Sequence, residues 1–452
     1  MIKTIITIGP NSLSEDDILK FMSHSNLFRL NGSHSNVQWH KAAVSLIRKV
    51  CPDAFILMDI PGIKPRTANT NNIEIKKGEI VCFGENSRDR NILVINLTKA
   101  LPRYESTLRK FSINDGQFLF DVIEVGKSFV IGRARESFTL LPKKGINLPG
   151  SVYDDKQQFN VYTQFIESIK KLEIDALGLS FIQNADVVNK IRLIHPEPIL
   201  ISKVENSEGL RNCAEIAEAS DAVMVDRGDL VAEIGYQHLF SGIEEISRST
   251  KLCGKPLIMA TENLESMINR DLPSKSEVVS LAHSASIGVD CFMLSEETAT
   301  SDNAHIIVSW LSEFLAALSP PKISKTLAQA TVGYKADIWK SMRNYSELPT
   351  LIMSKSGRAV ETHFSQNQHS QSYVLTDNQR LAKLCKLYCN VITVFEASIG
   401  ELPIIELIWK EINKHKETIF LKHDKILAVY VSKYTKTPRA NTITIFQKDD
   451  FL

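Results

Sequence analysis

Charged side chains follow several short apolar runs, at places where the strands of a parallel sheet would end. Lys203 and Glu205 alternate at the end of one run, and Asp229 follows the next run. Carboxylate oxygens are the ligands that Mg²⁺ prefers when it also keeps waters or substrate oxygens. Arg29 lies near the end of one earlier run, Arg66 follows another, and both carry guanidinium forks that suit phosphate oxygens. These residue types predict phosphoryl transfer, in which catalysis rests mostly on positioning and electrostatic stabilisation.

Each feature alone has an ordinary structural explanation. Lys203 and Glu205 could form a surface ion pair, and Asp229 could cap a helix. His34 and His40 are equally consistent with packing or solvation, and no histidine pair has the spacing of metal ligands. The coincidence of charged or hydroxyl groups at six strand ends therefore favours a site more than any single residue does.

The apolar runs themselves predict the fold that would position these groups. Runs of four to seven residues alternate with amphipathic segments, which is typical of parallel strands joined by helices. We expect a (β/α)₈ TIM barrel formed by residues 1–67 and 145–320, with its chemistry at the carboxyl ends of the strands. The predicted strands are Ile2–Ile8, Leu27–Leu30, Ala54–Asp59, Ala176–Ser180, Ile199–Lys203, Ala222–Val225, Pro256–Ala260 and Cys291–Leu294.

Two further segments depart from the barrel pattern, so the predicted fold class is α/β with three domains. Residues 68–144 are predicted to form an inserted small β-barrel lid, with strands at Ile80–Phe83, Asn91–Asn96, Phe118–Val125 and Phe129–Arg133. After Ser319-Pro320-Pro321, residues 325–452 are predicted to form a C-terminal α/β domain for effector binding or oligomerisation. Its predicted strands are Thr350–Ser354, Ser372–Thr376, Val391–Phe395, Ile426–Val431 and Thr442–Phe446.

Composition excludes several classes of protein. Lys plus Arg total 53 and Asp plus Glu total 52, so no global charge would attract nucleic acid or anionic lipid. No apolar run approaches the ~18 residues that cross a bilayer, and the first residues read as a strand rather than a signal peptide. The seven cysteines form no CxxC pair, which favours free thiols in a reducing compartment. We therefore expect a cytoplasmic enzyme that binds neither nucleic acid nor membrane.

Eleven stretches, in order along the chain, resemble the pyruvate kinase family, and in particular its bacterial members. Such an ordered series is more specific than any single motif. The stretches are TIGP at 7–10, RLNGSH at 29–34, INDG at 113–116, KKGINLPG at 143–150, LSFIQNADV at 179–187, SKVENSEGLRN at 202–212, SDAVMVDRGDL at 220–230, GKPLIMATENLESM at 254–267, MLSEETA at 293–299, MSKSGRAV at 353–360 and ANTITI at 440–445.

The resemblance implies an enzyme that transfers the phosphoryl group of phosphoenolpyruvate to ADP, giving pyruvate and ATP, in a homotetramer or homodimer. It implies that Glu205 and Asp229 hold Mg²⁺ or Mn²⁺, and that Lys203 and Arg29 contact the phosphoryl group. Thr261 would position the substrate and the water that protonates the enolate. The resemblance also implies that Gly228 and Asp229 contact the substrate. The implied nucleotide and phosphate contacts are Asn31, Ser33, His34, Arg66, Asp115 and Lys144.

One departure from the family concerns a monovalent cation. The resemblance implies a cation pocket formed by Asn31, Ser33 and Asp59. The family commonly has a carboxylate that accompanies K⁺ where this chain has Lys64. The ammonium of Lys64 could occupy the same negative pocket, so we expect that K⁺ is not required.

Other departures lie near the implied substrate. Asp226, Glu262 and Glu296 stand where the family usually has Ala, Gln and Gly, and Gln183 stands where an Arg is common. Like charges ~4 Å apart repel by about 4 kcal/mol at an effective dielectric constant of 20. Either Asp226 faces away from the substrate, or the substrate differs from phosphoenolpyruvate.

In the last segment, Ser354, Lys355, Ser356, Gly357 and Arg358 resemble the family's sugar-phosphate effector loop. The later loop that usually clamps the effector has become SKYTKTPR at 432–439, so control by a phosphorylated sugar and a vestigial loop both remain open.

Three functions remain open as well. The first is a pyruvate kinase; the second is a divergent member with low or no kinase activity, in a regulatory or binding role or acting on another 2-oxo acid or enol phosphate. The third is a metal-dependent lyase or decarboxylase of 2-oxo acids. Arg66, Asp115 and Lys144 favour an enzyme that encloses a nucleotide.

Overall fold

A closed barrel of eight parallel strands forms the centre of the fold. The computed structural model describes residues 1–85, 92–104, 108–318, 342, 345, 347–366, 370–400, 403–431 and 440–451. Numbered along the chain, the barrel strands are β1 (Lys3–Thr7), β2 (Leu27–Asn31), β3 (Phe55–Ile60), β12 (Ala176–Leu179), β13 (Ile199–Val204), β14 (Ala222–Asp226), β15 (Leu257–Ala260) and β16 (Cys291–Leu294). Each coincides with a predicted run, so the TIM-barrel prediction is confirmed.

Helices cover the outside of the barrel because their apolar faces pack against the outward side chains of the strands. Side-chain caps begin several of them: Ser14 accepts from the N–H of Asp17, and Asn36 accepts from the N–H of Trp39. The helices are α1 (Glu15–Met22), α2 (Val37–Val50), α3 (Asp155–Ile169), α4 (Ala185–Ile194), α5 (Ser207–Arg211), α6 (Cys213–Ala219), α7 (Arg227–Ile234), α8 (Tyr236–Leu252), α9 (Lys275–Ser286), α10 (Glu296–Ala299) and α11 (Ala304–Ala317).

Strand alternation determines which side chains reach the mouth of the barrel. Ile201 and Met224 belong to one buried cluster inside the barrel. Because side chains repeat every second residue along a strand, Lys203 and Asp226 point to the same side. Lys203 on β13 pairs in register with Met224 on β14. The periodicity that builds the apolar floor therefore brings charged groups to the carboxyl ends of the strands.

The inserted segment, together with residues 146–147 just after it, folds into a six-stranded sheet and a two-stranded sheet that share one apolar core. Four of its strands were predicted; β4, β7, β10 and β11 were missed because runs of two to four residues carry too little pattern. Asn91, at the start of one predicted strand, lies outside the described residues. The strands are β4 (Ile73–Ile75), β5 (Ile80–Gly84), β6 (Leu93–Ile95), β7 (Lys110–Ile113), β8 (Phe118–Val125), β9 (Phe129–Ala134), β10 (Phe138–Leu140) and β11 (Ile146–Asn147).

The turn between β7 and β8 approaches the barrel. Asn114, Asp115 and Gly116 all have left-handed backbones, with φ of 59°, 53° and 89°. A Cβ added to Gly116 would lie 3.4 Å from the Cβ of Ala232 in α7. The tip of the inserted segment therefore lies beside the helix that carries Asp229.

A five-stranded sheet completes the described fold, and its strands match the five predicted runs. The predicted break at Ser319–Pro321, the limits at 320 and 325 and the loop at 432–439 lie outside the described residues, so the domain limits stay predictions. The elements are β17 (Thr350–Met353), α12 (Arg358–Gln366), β18 (Ser372–Thr376), α13 (Gln379–Cys385), β19 (Val391–Glu396), α14 (Ile404–Lys414), α15 (Lys416–Ile419), β20 (Lys425–Tyr430) and β21 (Thr442–Gln447).

This last sheet and its helices pack against the barrel floor, opposite the mouth. Lys255 pairs with Glu361 at 2.6 Å, and the Tyr388 hydroxyl donates to the carbonyl of Gly254 at 2.9 Å. Throughout the part of the chain that the structure describes, no helix combines the length and the apolar character needed to cross a bilayer. None of the seven cysteines, all of which lie in the described part of the chain, forms a disulfide.

Candidate active site

A buried ammonium lies at the centre of the barrel mouth. The Nζ of Lys203 is 2.8 Å from Glu205, 3.4 Å from Asp226 and 3.5 Å from Asp59. Burial alone would lower the pKa of Lys203, but the facing carboxylates, Asp59 foremost, raise that pKa well above its usual value. Lys203 is therefore a permanent positive charge shielded from water.

A second cation lies beside it on β2. Arg29 donates two hydrogen bonds to Oδ2 of Asp59, at 3.1 and 2.6 Å, and one to the Thr7 hydroxyl at 3.3 Å. Gly178 on β12 makes room for this carboxylate, because a Cβ there would lie 2.1 Å from Oδ1 of Asp59. Burial raises the pKa of Asp59, but Lys203 and Arg29 outweigh burial and hold it below its usual value.

Three carboxylates converge next to Lys203. One oxygen from each of Glu205, Asp226 and Asp229 lies within 4.8 Å of the other two. Burial raises the pKa of Glu205 to about 8 and also raises the pKa of Asp229. Buried oxygen ligands of this kind are the donor set that Mg²⁺ or Mn²⁺ prefers, so the residues present fit a divalent ion.

The position of Lys64 corrects one expectation. Its Nζ bonds to Asp229 in α7 and lies 2.7 Å from Asp115 at the tip of the inserted segment. Asp59, which was expected to share a pocket with Lys64, is instead paired with Arg29. Gly145 leaves space for the Lys64 stem in this position, since a Cβ there would lie 2.6 Å from its Cε.

The start of α7 is tied to the loop after β15. The backbone N–H groups of Arg227 and Gly228 donate to the Thr261 hydroxyl at 3.1 and 3.2 Å. That hydroxyl donates to Asp226 Oδ1 at 3.0 Å. Thr261 and Glu262 have φ of 59° and 50°, a left-handed backbone that non-glycine residues adopt at a cost. Such strain is common at functional sites.

Glu262, Glu296 and Gln183, the other residues that differ from the family's usual pattern, have different surroundings. Glu262 faces the start of α7, with its Oε1 3.8 Å from where a Cβ of Gly228 would lie. Glu296 is exposed at the start of α10. Gln183 binds the backbone N–H and carbonyl of Tyr153 at 2.8 and 3.0 Å. Gln183 is therefore a structural contact, whereas Glu262 adds negative charge near Gly228.

The residues expected to contact nucleotide and phosphate line the rim. Asn31 accepts the backbone N–H of Ser33 at 3.0 Å, and both follow β2 with the exposed His34. Arg66 is exposed and donates to the carbonyl of Lys143 at 3.3 Å. Lys144, next in the chain, is half-buried. Of these side chains, Ser33, His34 and Arg66 are exposed.

The expected effector loop, Ser354–Arg358, joins β17 to α12, far from the barrel mouth. Ser354 accepts the N–H of Gly357 at 3.0 Å, which closes the loop on itself. Lys355 pairs with Asp377 at 3.2 Å. The role of the loop Ser354–Arg358 in binding an effector stays a prediction.

Two buried residues were missed when roles were assigned from the sequence. Arg227 donates to the carbonyl of Thr261 at 3.1 Å and to Asn263 at 2.9 Å, which holds the loop after β15. Glu297 accepts the N–H groups of Asn263 and Leu264, each at 3.2 Å. Arg227 directly follows β14 and Glu297 is the third residue after β16, and these positions near strand ends were the available signal.

Comparison with known proteins agrees with this geometry. Residues 1–305 match the family model described as pyruvate kinase, barrel domain. A pyruvate kinase from Hypocrea jecorina is 31% identical over 317 residues, 65% of this chain and 58% of that protein. One from Dictyostelium discoideum is 31% identical over 317 residues, 66% of this chain and 62% of that protein. The chain thus matches about three fifths of the length of these two relatives.

A longer match extends beyond the barrel. A cytosolic isozyme of pyruvate kinase from Nicotiana tabacum is 27% identical over 430 residues, which are 90% of this chain and 81% of that protein. The barrel match covers more than half of the chain, and the eleven motifs run along nearly all of it. The chain therefore belongs to the pyruvate kinase family.

Proposed function

We propose that this protein is a pyruvate kinase that moves the phosphoryl group of phosphoenolpyruvate to ADP. In this reaction the P–O bond to the enol oxygen breaks, a P–O bond to the β-phosphate of ADP forms, and the enolate takes a proton to give pyruvate. The observation that carries the proposal is the buried Lys203 beside Glu205, Asp226 and Asp229 at the barrel mouth. An ammonium next to a divalent-ion site suits a transferring phosphoryl group.

We assign the Mg²⁺ or Mn²⁺ of this enzyme to Glu205 and Asp229. When bound, the ion supplies positive charge that orients and neutralises the oxygens of the reacting groups. The donor set supports this assignment, because both carboxylates are largely buried and one oxygen of each lies within 4.8 Å of the other. Family membership supports a magnesium requirement in general.

The chain's own residues supply the rest of the chemistry. Lys203 and Arg29 are fixed cations that bind the transferring phosphoryl group and offset its charge. Thr261 orients the water that protonates the enolate, since two backbone N–H groups and Asp226 fix its hydroxyl. Gly228 leaves space for the substrate at the start of α7, where the positive end of the helix dipole favours an anion although the N–H groups of Arg227 and Gly228 already donate to Thr261.

The nucleotide is proposed to bind between the barrel and the inserted segment. Arg66, Asp115 and Lys144 come from that segment and its hinge. Lys64 pairs with both Asp115 and Asp229, which supports this role because these two contacts connect the tip of the segment to the metal pocket. The contacts proposed from the barrel side are Asn31, Ser33 and His34.

We further propose that the enzyme needs no K⁺. Asp59, the carboxylate of the expected monovalent pocket, is already balanced by Arg29 and Lys203. Lys64 adds a resident cation to the neighbouring metal pocket rather than to Asp59 itself. Activity should therefore be equal in potassium and tetramethylammonium chloride at constant ionic strength; a strict requirement for K⁺ would contradict this proposal.

A coupled assay with ADP, phosphoenolpyruvate and Mg²⁺ tests the main proposal. Lys203→Ala should lose at least about a hundredfold in kcat, as removal of one preorganised electrostatic group commonly does. Lys170→Ala, which removes an exposed lysine of a surface pair, is the control and should keep wild-type activity. Pyruvate formation that Lys203→Ala leaves unchanged would refute the assigned site.

One observation favours a second candidate, a family member that acts on another 2-oxo acid or enol phosphate or has low kinase activity. Asp226 and Glu262 both lie near Gly228, where an anionic substrate would bind. A wild-type protein that is folded and binds Mn²⁺ but fails in the coupled assay would favour this candidate. A lyase or decarboxylase would act without ADP. A homotetramer or homodimer, an effector at Ser354–Arg358 and a cytoplasmic location stay predictions.

A further inference from the structure

The function proposed above uses Asp226 only as a hydrogen-bond partner of the Thr261 hydroxyl, and that contact does not explain a buried negative charge at a position where the family usually has alanine. It ends β14 and directly precedes α7, yet its side chain makes no capping bond to that helix. Its Oδ2 faces Lys203 at 3.4 Å, and its side chain is 11% exposed. A carboxylate placed so far from water requires compensation inside the pocket.

The distances allow Asp226 to reach the divalent ion. Mg²⁺ binds oxygens at about 2.0–2.1 Å in an octahedron, so oxygens on opposite sides of the ion lie about 4.2 Å apart. The nearest oxygens of Glu205, Asp226 and Asp229 already lie within 4.8 Å of one another. We propose that Asp226 is a third carboxylate ligand of this ion, in addition to Glu205 and Asp229.

The charges around the cluster agree with this assignment. Lys203 faces Glu205 and Asp226, and Lys64 bonds to Asp229, so each carboxylate already has an ammonium as partner. Two ammonium groups leave one negative charge among three carboxylates uncompensated. Asp59 does not change this balance, because Arg29 neutralises it. The pocket therefore still favours a divalent cation.

The third carboxylate also affects the class of substrate. The charges of a divalent ion, Lys203 and Lys64 together exceed those of three carboxylates by one, whereas with two carboxylates two positive charges would remain for the substrate. Asp226 thus strengthens ion binding and weakens the attraction for an anionic substrate. The inference rests on the proposed function only for the presence of the ion at Glu205 and Asp229.

Titration of the full-length protein with Mn²⁺, followed by the electron paramagnetic resonance signal of the free ion, tests the inference without any turnover. Asp226→Ala should weaken Mn²⁺ binding about tenfold or more, because even loss of a group that only orients a ligand costs about that much. Water-proton relaxation should rise in the same variant, since water replaces the lost ligand. Asp226→Asn keeps the shape of the side chain and should give an intermediate loss.

Glu262→Gln is the matched control, because it removes a nearby negative charge that is not part of the cluster. Its Mn²⁺ affinity should stay within about threefold of wild type. If Glu262→Gln loses as much as Asp226→Ala, the effect is general electrostatics and the inference fails. If Glu205→Gln loses Mn²⁺ binding while both Asp226 variants keep it, this inference fails and the proposed function stands. Absence of Mn²⁺ binding to the wild type would overturn both.

Discussion

Replacing Lys64 by Met removes the ammonium that connects the inserted segment to the metal pocket. Its side chain is only 4% exposed, and its Nζ bonds to Asp229 and to Asp115, the latter at 2.7 Å. Met keeps much of the apolar stem, so the perturbation is mainly the lost charge. In Lys64→Met, Asp229 would share a buried cluster with two other carboxylates and would have no cation of its own.

The size of the effect follows from the burial of the two partners. Removing one member of a buried ion pair costs about 3–5 kcal/mol. The Asp115 side chain is 56% exposed, so its ion pair with Lys64 contributes only about 0–1 kcal/mol to stability, as exposed pairs do. Burial already raises the pKa of Asp229, so this carboxylate can take up a proton when Lys64 is lost. That proton limits the cost of breaking the pair between Lys64 and Asp229. We expect about 2–4 kcal/mol, or a melting temperature lower by about 5–10 °C.

Thermal unfolding followed by circular dichroism, with and without saturating Mn²⁺, measures this loss. Mn²⁺ should at least halve the gap between Lys64→Met and wild type, because the ion replaces the missing positive charge at Asp229. Lys170→Met, which removes an exposed lysine, should melt within about 1 °C of wild type. If Lys64→Met melts like wild type, or if the gap is as large with Mn²⁺ as without it, Lys64 does not compensate Asp229.

Three further predictions follow from the same contacts. Asp226→Ala should lower the KM for phosphoenolpyruvate in the coupled assay, while a higher or equal KM would mean that this carboxylate does not oppose the substrate. Gly145→Ala should displace the Lys64 stem, since the new Cβ would lie 2.6 Å from the Cε of Lys64. Limited proteolysis should then cut the inserted segment faster than in the wild type, and an unchanged rate would contradict this prediction. Burial raises the pKa of Glu233 to about 8, so the folded state keeps a proton that the unfolded chain releases above its usual 4.5. The free energy of unfolding should therefore fall as pH rises from 5 to 8, by about 1.4 kcal/mol per pH unit at most. Glu233→Gln should flatten the plot of melting temperature against pH. Parallel plots for the variant and the wild type would refute this prediction.

Local pattern was enough to predict the barrel and much of its chemistry. All eight barrel strands were predicted because each is a short β-branched or apolar run and helical segments lie between most of them. Lys203 and Glu205 could be placed at the mouth because side chains two residues apart share a side of a strand. The short strands β4, β7, β10 and β11 could not be predicted, since they depend on their partners in the sheet more than on their own residues.

The pairing of charges could not be predicted in the same way. Lys64 was expected beside Asp59, five residues away in the chain, but it bonds to Asp229, which is 165 residues away. Asp226 looked like a repulsive residue in the substrate pocket, and only its distances to Glu205 and Asp229 show that it belongs to the carboxylate cluster. The sequence determines which charges exist and which side of a strand they occupy. Which of them become partners depends on how distant segments pack, because electrostatic energy depends on separation in space and on burial.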